Sequence, residues 1–381
     1  MKYLSVLVSG LSRLQGPSVN KLKNMGITGK TSLDLKLSTR DDFASILPLL
    51  GYDIRKYYRG EGSLLAARAG VHLEKDDVAF CCDLVTFKHS QDGYQFQKMG
   101  PKVFMESLPP QSLSDDEARE LIREINEAVG TETIVFYPVR NYRHLMVWVG
   151  GKSKFQTWDP IECSGKPAAG FFPKGDGAAM LTRCMEVASQ YLQQHPLTEE
   201  RIGQGIPPVN GIWFSQPGRA MELPTWEEQY DLRSAMVAED EFCKGIGKMA
   251  GFNVLDLDGF NVSSFKERCL TLAEAALKSL SIHDFAFVHI PAEKGGDEAP
   301  AVFDESFLGR VLAHFEGESE WKILLMESPE FQEFPLKNLN GPAAREIDFL
   351  VCQPGAPGGK KIVLSDAHQL MSRFIQGVFQ N

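Results

Sequence analysis

The C-terminal half of the chain alternates strand patterns with helix patterns, and this alternation limits the fold more than any other feature. The stretches NVLDL, FAFVHI, KILLME and DFLVCQ have the apolar runs of buried strands, and helix patterns such as SSFKERCLTLAEAALKSL accompany them. Such alternation produces a mostly parallel sheet with helices on both faces. The sequence therefore predicts a doubly wound α/β core. The glycine- and proline-rich stretch at 353–361 predicts a hairpin turn after the last of these strands.

A segment of different pattern interrupts this core. A helix that begins with the capping pair Ser114 and Glu117 is followed by two strand patterns and a second helix. Pro207 and Pro208 mark the end of the segment, and a new strand pattern follows them. The predicted organisation is a core domain of residues 1–85 and 209–381, with an inserted α+β cap domain of residues 86–208.

Charge and composition exclude several classes of function. The net charge is −10 and the pI is about 5.4, so the chain repels phosphate backbones and nucleic acid is not an expected partner. No apolar run approaches the roughly 18 residues of a membrane helix. The seven cysteines have no CxxC pair and no zinc-site spacing, which is typical of buried thiols in a reducing compartment. We therefore expect a cytoplasmic protein that does not bind membranes.

The residues alone leave one kind of site open. No GxSxG, HExxH or P-loop motif is present. Arg143 and His144 stand together at the start of a predicted strand, and Arg219 follows another strand in a glycine-containing loop. Arginines in such positions either bind a small anion or lie solvated on the surface. The residues therefore favour a cytosolic α/β protein and leave a small-anion site as an open possibility.

A longer set of motifs carries a resemblance to a known family. The segment at 49–87, LLGYDIRKYYRGEGSLLAARAGVHLEKDDVAFCCDLVTF, resembles cofactor-independent phosphoglycerate mutase of the archaeal type. The stretches FYPVRNYRHLMVW, PKGDGAAML, HPLTEERI, NGIWFSQPGRA and KGIGKMAGF also match that family in the same order. The resemblance covers nearly the whole chain. It implies an alkaline-phosphatase-like core with an inserted substrate-binding cap.

The same resemblance implies a reaction. Members of the family are isomerases of glycolysis that interconvert 3-phosphoglycerate and 2-phosphoglycerate. Two divalent metals, usually manganese-type, activate a serine that takes up the phosphoryl group, and the metals neutralise charge on the attacking and leaving oxygens. Aspartate and histidine side chains are the ligands that such metals require.

The family positions for this chemistry hold unsuitable residues in this chain. Ser9 stands where the family has a metal-binding aspartate before glycine, and Asp42 stands at the position of the nucleophilic serine. The remaining degenerate metal-ligand positions are Lys294 and Glu298 after FVHI, Glu327 and Ser328 after KILLM, and Pro342 before DFLV. The resemblance thus implies that no catalytic residue, metal ligand or metal cofactor is retained.

Two alternatives to complete loss stay open. A shift of the alignment would bring Thr39 or Ser45 toward the position of the nucleophile, although neither keeps the family spacing. Acidic residues of the same loops could also build a different metal site, although no histidine supports it. They are Asp42, Asp297, Glu298 and Glu327.

The cap motifs are retained better than the metal centre. Arg143, His144 and Arg219 stand in regions that, in the family, hold the phosphate and carboxylate of the substrate. A bidentate arginine is suited to either group. Two departures accompany them, since Trp158 replaces a family histidine before aspartate and Pro217 interrupts the glycine loop.

Three functional hypotheses follow. The first is a catalytically inactive homologue, a pseudoenzyme, that binds a phosphorylated metabolite such as phosphoglycerate, or a protein partner, or a second copy of itself. The second is an active phosphoglycerate mutase or related phosphotransferase with a rebuilt metal site. The third is a structural interaction protein. Convergence of Arg143 and Arg219 on one basic pocket would favour metabolite binding, and their separation would remove its main support.

Overall fold

The structure is a computed structural model of the 381-residue chain. It describes residues 1–8, 14, 16–34, 42–94, 98–109, 112–152, 154–257, 264–291, 298–327, 344–356 and 358–379. The chain divides into two compact units. The first comprises Met1–Tyr58 with Glu222–Asn381, and the second comprises Arg59–Met221.

Sixteen strands are described. They are β1 (Lys2–Val8), β2 (Gly26–Asp34), β3 (Val78–His89), β4 (Val103–Ser107), β5 (Ile134–Arg140), β6 (Arg143–Trp148), β7 (Phe155–Gln156), β8 (Lys166–Pro167), β9 (Lys174–Gly175), β10 (Gly211–Arg219), β11 (Ser234–Val237), β12 (Asn253–Leu255), β13 (Phe285–Ile290), β14 (Trp321–Glu327), β15 (Ala344–Cys352) and β16 (Lys360–Leu364).

Helices connect these strands. They are α1 (Pro17–Asn24), α2 (Ile46–Leu49), α3 (Ile54–Tyr57), α4 (Glu61–Arg68), α5 (Asp115–Val129), α6 (Pro160–Cys163), α7 (Ala178–Leu192), α8 (Pro196–Gly203), α9 (Trp226–Tyr230), α10 (Glu241–Met249), α11 (Phe265–Leu280), α12 (Ala299–Val302), α13 (Gly309–His314) and α14 (His368–Gln376). Short 3₁₀ helices span Asp42–Ser45 and Ala168–Gly170, and a π-helical turn, Phe303–Leu308, joins α12 to α13. Within these ranges, no helix combines the length and apolar content that a membrane span requires.

The first unit is built on an eight-stranded sheet with the order β12-β11-β13-β1-β14-β15-β2-β16. All strands but β15 run in the same direction, and β15 is antiparallel to both of its neighbours. Every residue of β13 is buried, as expected for a central parallel strand that is covered on both faces. The mostly parallel sheet predicted from the sequence is therefore confirmed.

Helices cover both faces of this sheet. On one face, Leu4 and Val6 of β1 belong to an apolar cluster with residues of α1, α11 and α13. On the other face, the ring of Tyr3 lies 5.7 Å from that of Phe374 of α14, and α10 packs against β11. This arrangement confirms the doubly wound α/β class.

The predicted hairpin at 353–361 is wrong. Strand β16 does not pair with β15, because β2 lies between them and is hydrogen-bonded to both. The central position of β2 depends on Gly29. A Cβ at this residue would lie 2.4 Å from the ring of Phe349 and 2.7 Å from the backbone oxygen of Ile362.

The second unit is the inserted α+β unit. Its main sheet has the order β5-β6-β3-β4-β8, with β10 paired to β3, and all of these pairings are antiparallel. Helices α5 and α7 contribute to its apolar core, and the predicted capping box of Ser114 and Glu117 is present at the start of α5. Strands β7 and β9 form a separate pair.

The limits of the second unit differ from the predicted boundaries of 86 and 208. Residues 59–85 and 209–221 belong to this unit. The physical reason is the pairing of β3 with β10, whose register runs from Gly211 opposite Val85 to Arg219 opposite Val78. Because the two strands complete one sheet, both lie with the inserted unit.

Candidate functional site

The carboxyl ends of the parallel strands define the first region to consider, because ligands of open α/β sheets bind there. Glu327 is the half-buried last residue of β14, and Glu298 is exposed immediately before α12. Asp42 begins a short 3₁₀ helix. The predicted positions Ser9, Lys294, Ser328 and Pro342, together with Asp297 and Thr39, lie outside the described residues. Within the described residues, no group of three or more His, Cys, Asp or Glu side chains could hold a metal ion.

A buried ammonium lies at this carboxyl edge. Lys244 of α10 has a fully buried side chain, and its Nζ lies 2.9 Å from Oε1 of Glu241 and 3.4 Å from Oδ1 of Asp256. Helix α10 follows the carboxyl end of β11, where the Asp240 carboxylate accepts hydrogen bonds from the first backbone N–H groups of the helix. Asp256 follows β12. A buried charge needs such partners to offset its lost hydration.

Sequence reasoning missed this lysine. The stretch KGIGKMAGF contributes only to the family resemblance, which assigns no role to its first lysine, Lys244. The available signal was the position of Lys244, which follows the helix cap Asp240 by four residues and precedes the buried Ile246. A lysine among buried residues of a helix that leaves the carboxyl end of a parallel strand indicates a paired charge at the ligand-binding edge.

A second buried polar group lies near the same edge. His289 is the penultimate residue of β13 and stands opposite Leu7 of β1. Burial lowers the pKa of His289 to about 4, so the imidazole is neutral at physiological pH. Its Nδ1 has no hydrogen-bond partner among the described residues. A buried imidazole without a partner is a costly feature for a purely structural strand.

In the second unit, Arg143 is engaged by a facing carboxylate. Its Nε lies 3.0 Å from Oδ1 of Asp83, and its Nη2 lies 3.3 Å from Oδ2. The two residues stand directly opposite each other on β6 and β3, and the Asp83 side chain is 1% exposed. Burial raises the pKa of Asp83, and the guanidinium opposes this rise. The positive charge of Arg143 is therefore neutralised within the sheet.

His144, the residue that follows Arg143 in the chain, is also buried. Its side chain is 1% exposed, and Nδ1 accepts a 3.2 Å hydrogen bond from the backbone N–H of Val139. Burial lowers the pKa of His144 to about 3. The side chain is thus a neutral imidazole that orders the β5–β6 turn, and it supplies no positive charge for a phosphate.

Arg219 is the half-buried last residue of β10. Its backbone N–H donates a 3.0 Å hydrogen bond to the carbonyl of Arg59. The close approach of these two segments depends on Gly60, which has a φ of 110° and whose Cβ would lie 2.1 Å from the carbonyl oxygen of Pro217. The Nε of Arg219 is buried and has no hydrogen-bond partner in the described part of the chain. Of the three predicted substrate-binding residues, this one retains an unsatisfied cationic donor.

The structure does not bring Arg143 and Arg219 together. Arg143 stands opposite Asp83 of β3, whereas Arg219 stands opposite Val78 of the same strand. These two positions of β3 are five residues apart, or about 17 Å along the strand. Because side chains alternate between faces, an odd separation also places the two arginines on opposite faces of the sheet. A single basic pocket built from both arginines is therefore excluded.

Comparison with known sequences gives consistent results. A family model described as 2,3-bisphosphoglycerate-independent phosphoglycerate mutase matches residues 38–198. A probable 2,3-bisphosphoglycerate-independent phosphoglycerate mutase of Geobacter sulfurreducens is 32% identical over 289 residues, which are 73% of this chain and 69% of that protein. The corresponding mutase of Methanothrix thermoacetophila is 28% identical over 320 residues, or 81% of this chain and 77% of that protein.

Comparison with solved structures agrees on the fold. A protein of Pyrococcus horikoshii superimposes with a TM-score of 0.65 at 19% identity, covering 100% of this chain and 98% of that one. The cofactor-independent phosphoglycerate mutase of Thermoplasma acidophilum superimposes with a TM-score of 0.58 at 19% identity, covering 99% of each chain. The similarity extends over both units of the chain.

Proposed function

Because the chain belongs to the 2,3-bisphosphoglycerate-independent phosphoglycerate mutase family, of the archaeal type, we propose that it is a pseudoenzyme of that family that binds a phosphorylated small molecule such as phosphoglycerate. The separation of Arg143 from Arg219 removes a two-arginine pocket as support, so the observation that carries the proposal is Arg219 alone. Its buried Nε lacks a partner among the described residues, and leaving such a donor unpaired is unfavourable. A phosphate or carboxylate oxygen would satisfy it with a charge-assisted hydrogen bond.

The residues at the catalytic positions account for the proposed loss of turnover. Asp42 stands at the position of the nucleophilic serine, and a carboxylate is repelled by a phosphoryl group unless metals neutralise the charge. Lys294 stands at a sequence position where the family has a metal ligand, and a lysine ammonium has no lone pair to bind a metal. We therefore propose that phosphoglycerate binds without metal and is not converted.

A thermal-shift titration with 3-phosphoglycerate, with and without Mn²⁺, tests this function. A ligand that binds only the folded state raises the melting temperature by mass action. We expect a shift that does not require Mn²⁺ and that Arg219→Ala abolishes. Arg119→Ala is the matched control, because Arg119 lies exposed on α5 in the same unit and, among the described residues, pairs only with Asp116. A shift that requires Mn²⁺, or an equal shift in Arg219→Ala, would contradict the proposal.

An active mutase or phosphotransferase with a rebuilt site is the second candidate, and Lys244 is the observation that favours it. A fully buried lysine lies at the carboxyl edge of the sheet and is paired with Glu241 and Asp256, so its ammonium would serve phosphoryl transfer only where the phosphoryl group displaces one of these carboxylates. An enolase-coupled assay at saturating Mn²⁺ measures conversion of 3-phosphoglycerate and distinguishes the two candidate functions. Turnover by pure protein that Lys244→Met removes would establish the second candidate and overturn the first.

We also propose that the protein is cytoplasmic. A protein partner would be either a different chain or a second copy of this chain. All seven cysteines are buried and carry free thiols, which supports a reducing compartment. Light scattering coupled to size-exclusion chromatography measures self-association directly. A mass of one chain, 42.4 kDa, would remove the homo-oligomer from the proposal.

A further inference from the structure

A polar cleft of about 770 Å³ opens on the first unit, between helices α9 and α14. Residues on one side of α14 form its longest wall, while Leu370, Met371 and Phe374 of the same helix are buried in the core. The volume is within the roughly 300–1,000 Å³ that is typical of small-molecule sites. The lining residues that bear on a ligand are Tyr230, His368, Gln369, Ser372, Arg373 and Gln376.

The charge of this cleft is unusual for the chain. The whole protein carries a net charge of −10, yet no described lining residue is an aspartate or a glutamate. Arg373 is half-buried, and within the described residues its guanidinium has no hydrogen bond or ion pair. The Nδ1 of His368 lies 2.7 Å from the carboxylate of Asp366. The cleft therefore offers a guanidinium whose charge is not neutralised by a lining carboxylate.

The other lining groups are neutral hydrogen-bonding groups. The side chains of Gln369, Ser372 and Gln376 make no hydrogen bond to another described residue. A Cβ on residue 51 would lie only 2.5 Å from the hydroxyl oxygen of Tyr230. The absence of a side chain at Gly51 therefore leaves room for this hydroxyl. Burial raises the pKa of Tyr230 to about 12, which keeps the hydroxyl protonated and able to donate. Amide and hydroxyl groups that donate and accept are suited to the hydroxyls of a ligand.

We propose that this cleft is a second binding site, which takes a phosphorylated polyol. Arg373 holds the phosphate through its paired N–H groups, and the glutamine, serine and tyrosine side chains hold the hydroxyls. The size of the cleft fits a ligand larger than a three-carbon acid. The site is independent of Arg219, since it uses residues of the first unit only.

Isothermal titration calorimetry of the full chain tests the site with three probes, namely glucose 6-phosphate, sorbitol 6-phosphate and 6-phosphogluconate. Glucose, sorbitol, gluconate and inorganic phosphate are titrated separately. We expect at least one phosphorylated polyol to bind. The affinities for gluconate and for inorganic phosphate should be lower by about tenfold or more, because gluconate lacks the charged phosphate contacts and inorganic phosphate lacks the hydrogen bonds of the hydroxyls. Binding of none of the three probes, or equal binding of inorganic phosphate or gluconate, would overturn the proposal.

Two variants locate the binding. Arg373→Ala keeps a good helix former in α14 and should lower the affinity for the phosphorylated probe by about tenfold or more. Gln376→Ala should lower this affinity less, because the hydrogen bond it removes is neutral and not charge-assisted. Arg310→Ala is the control, since Arg310 is exposed on α13 in the same unit and pairs with Glu274. Unchanged affinity in Arg373→Ala with an unchanged melting temperature would contradict the assignment, whatever the outcome at Arg219.

Discussion

The carboxylate of Asp304 accepts a 2.6 Å hydrogen bond from the backbone N–H of Val19, 285 residues earlier in the chain. It accepts a second one, of 3.1 Å, from the N–H of Ser18. The residue that precedes α1 is Gly16, which has no side chain to satisfy these donors. Asp304 belongs to the π-helical turn between α12 and α13 and is 2% exposed. A residue of one helix thus caps the N-terminus of another, where a negative charge is favourable.

Asp304→Ala should lower the free energy of unfolding by about 1–3 kcal/mol, because two helix N–H groups lose their acceptor in a buried place. Asp304→Asn keeps one carbonyl acceptor and should lose less. Urea unfolding measures both. Asp116→Ala is the control, since this aspartate lies exposed in the first turn of α5. Equal losses in Asp304→Ala and Asp116→Ala would argue against the cap.

Arg143→Met should destabilise the second unit by about 3–5 kcal/mol at neutral pH, because it leaves the buried carboxylate of Asp83 without its partner. The double variant Asp83→Leu with Arg143→Met should recover most of this loss. Urea unfolding of the three variants forms the test. Lys152→Met removes one partner of an exposed ion pair with Asp176 and should have little effect.

The loss in Arg143→Met should also depend on pH. Burial already raises the pKa of Asp83, and removal of the guanidinium raises it further. Between the pKa of the unfolded chain and that of the folded variant, the folded state binds more protons, so stability falls as pH rises. The variant should therefore be closest to the wild type near pH 4 and furthest from it near pH 7. A loss that does not change with pH would show that Asp83 is not the group left uncompensated.

His289→Leu should reduce the acid sensitivity of the protein. The pKa of His289 is about 4 in the folded state and near 6.5 in an unfolded chain, so the unfolded state binds more protons between these values. Stability is then fully present above pH 6.5 and falls as pH decreases. Between pH 7.5 and pH 5, the wild type should lose about 2 kcal/mol more than the variant.

Urea unfolding at the two pH values measures this difference. His72→Leu serves as the control, because the side chain of His72 is 79% exposed. His144, whose pKa is lowered to about 3, should contribute a loss of the same sign that continues to lower pH. An identical pH dependence in His289→Leu and the wild type would show that the buried imidazole does not titrate with the unfolding equilibrium.

Gly29→Ala should destabilise the first unit by about 1–3 kcal/mol, because a Cβ in β2 would collide with the ring of Phe349 and with the backbone of β16. Thermal unfolding monitors the change. The control is Gly203→Ala in α8, where a Cβ meets nothing within 4 Å and the residue lies exposed. The control should be neutral or slightly stabilising. A destabilisation no larger than that of the control would indicate that β2 can move outward.

The core sheet could be predicted because its central strands have a strong local signal. FAFVHI and KILLME became β13 and β14, with bounds close to those expected. Strand β2 carried no such signal, since GITGKTSLD contains two glycines and several polar residues. It exists because β15 and β16 pair with it from both sides, which is a tertiary effect. Because β2 was not predicted, the turn residues before β16 were interpreted as a hairpin between β15 and β16.

The candidate site was harder to predict than the fold. Sequence placed Arg143 and Arg219 in loops or strand starts that could hold an anion, but it could not show that Asp83 neutralises the first of them. The pairing of β6 with β3 decides this, and nothing near Arg143 in the sequence reveals the register. The burial of Lys244 was also missed. Glu241 is its neighbour on the same helix, but the second partner, Asp256, reaches it only when α10 packs on β12.

The position of β1 in the core sheet has a consequence for synthesis of the chain. Lys2–Val8 are hydrogen-bonded on one side to β13 and on the other to β14, which ends at Glu327. At translation rates of roughly 5–20 residues per second, the N-terminal strand waits about 15–60 s for both neighbours to be made. The residues of Arg59–Met221, by contrast, are contiguous and are complete much earlier. On the ribosome, the apolar strand β1 must therefore be kept from aggregating until the two strands that cover its edges, β13 and β14, have been translated.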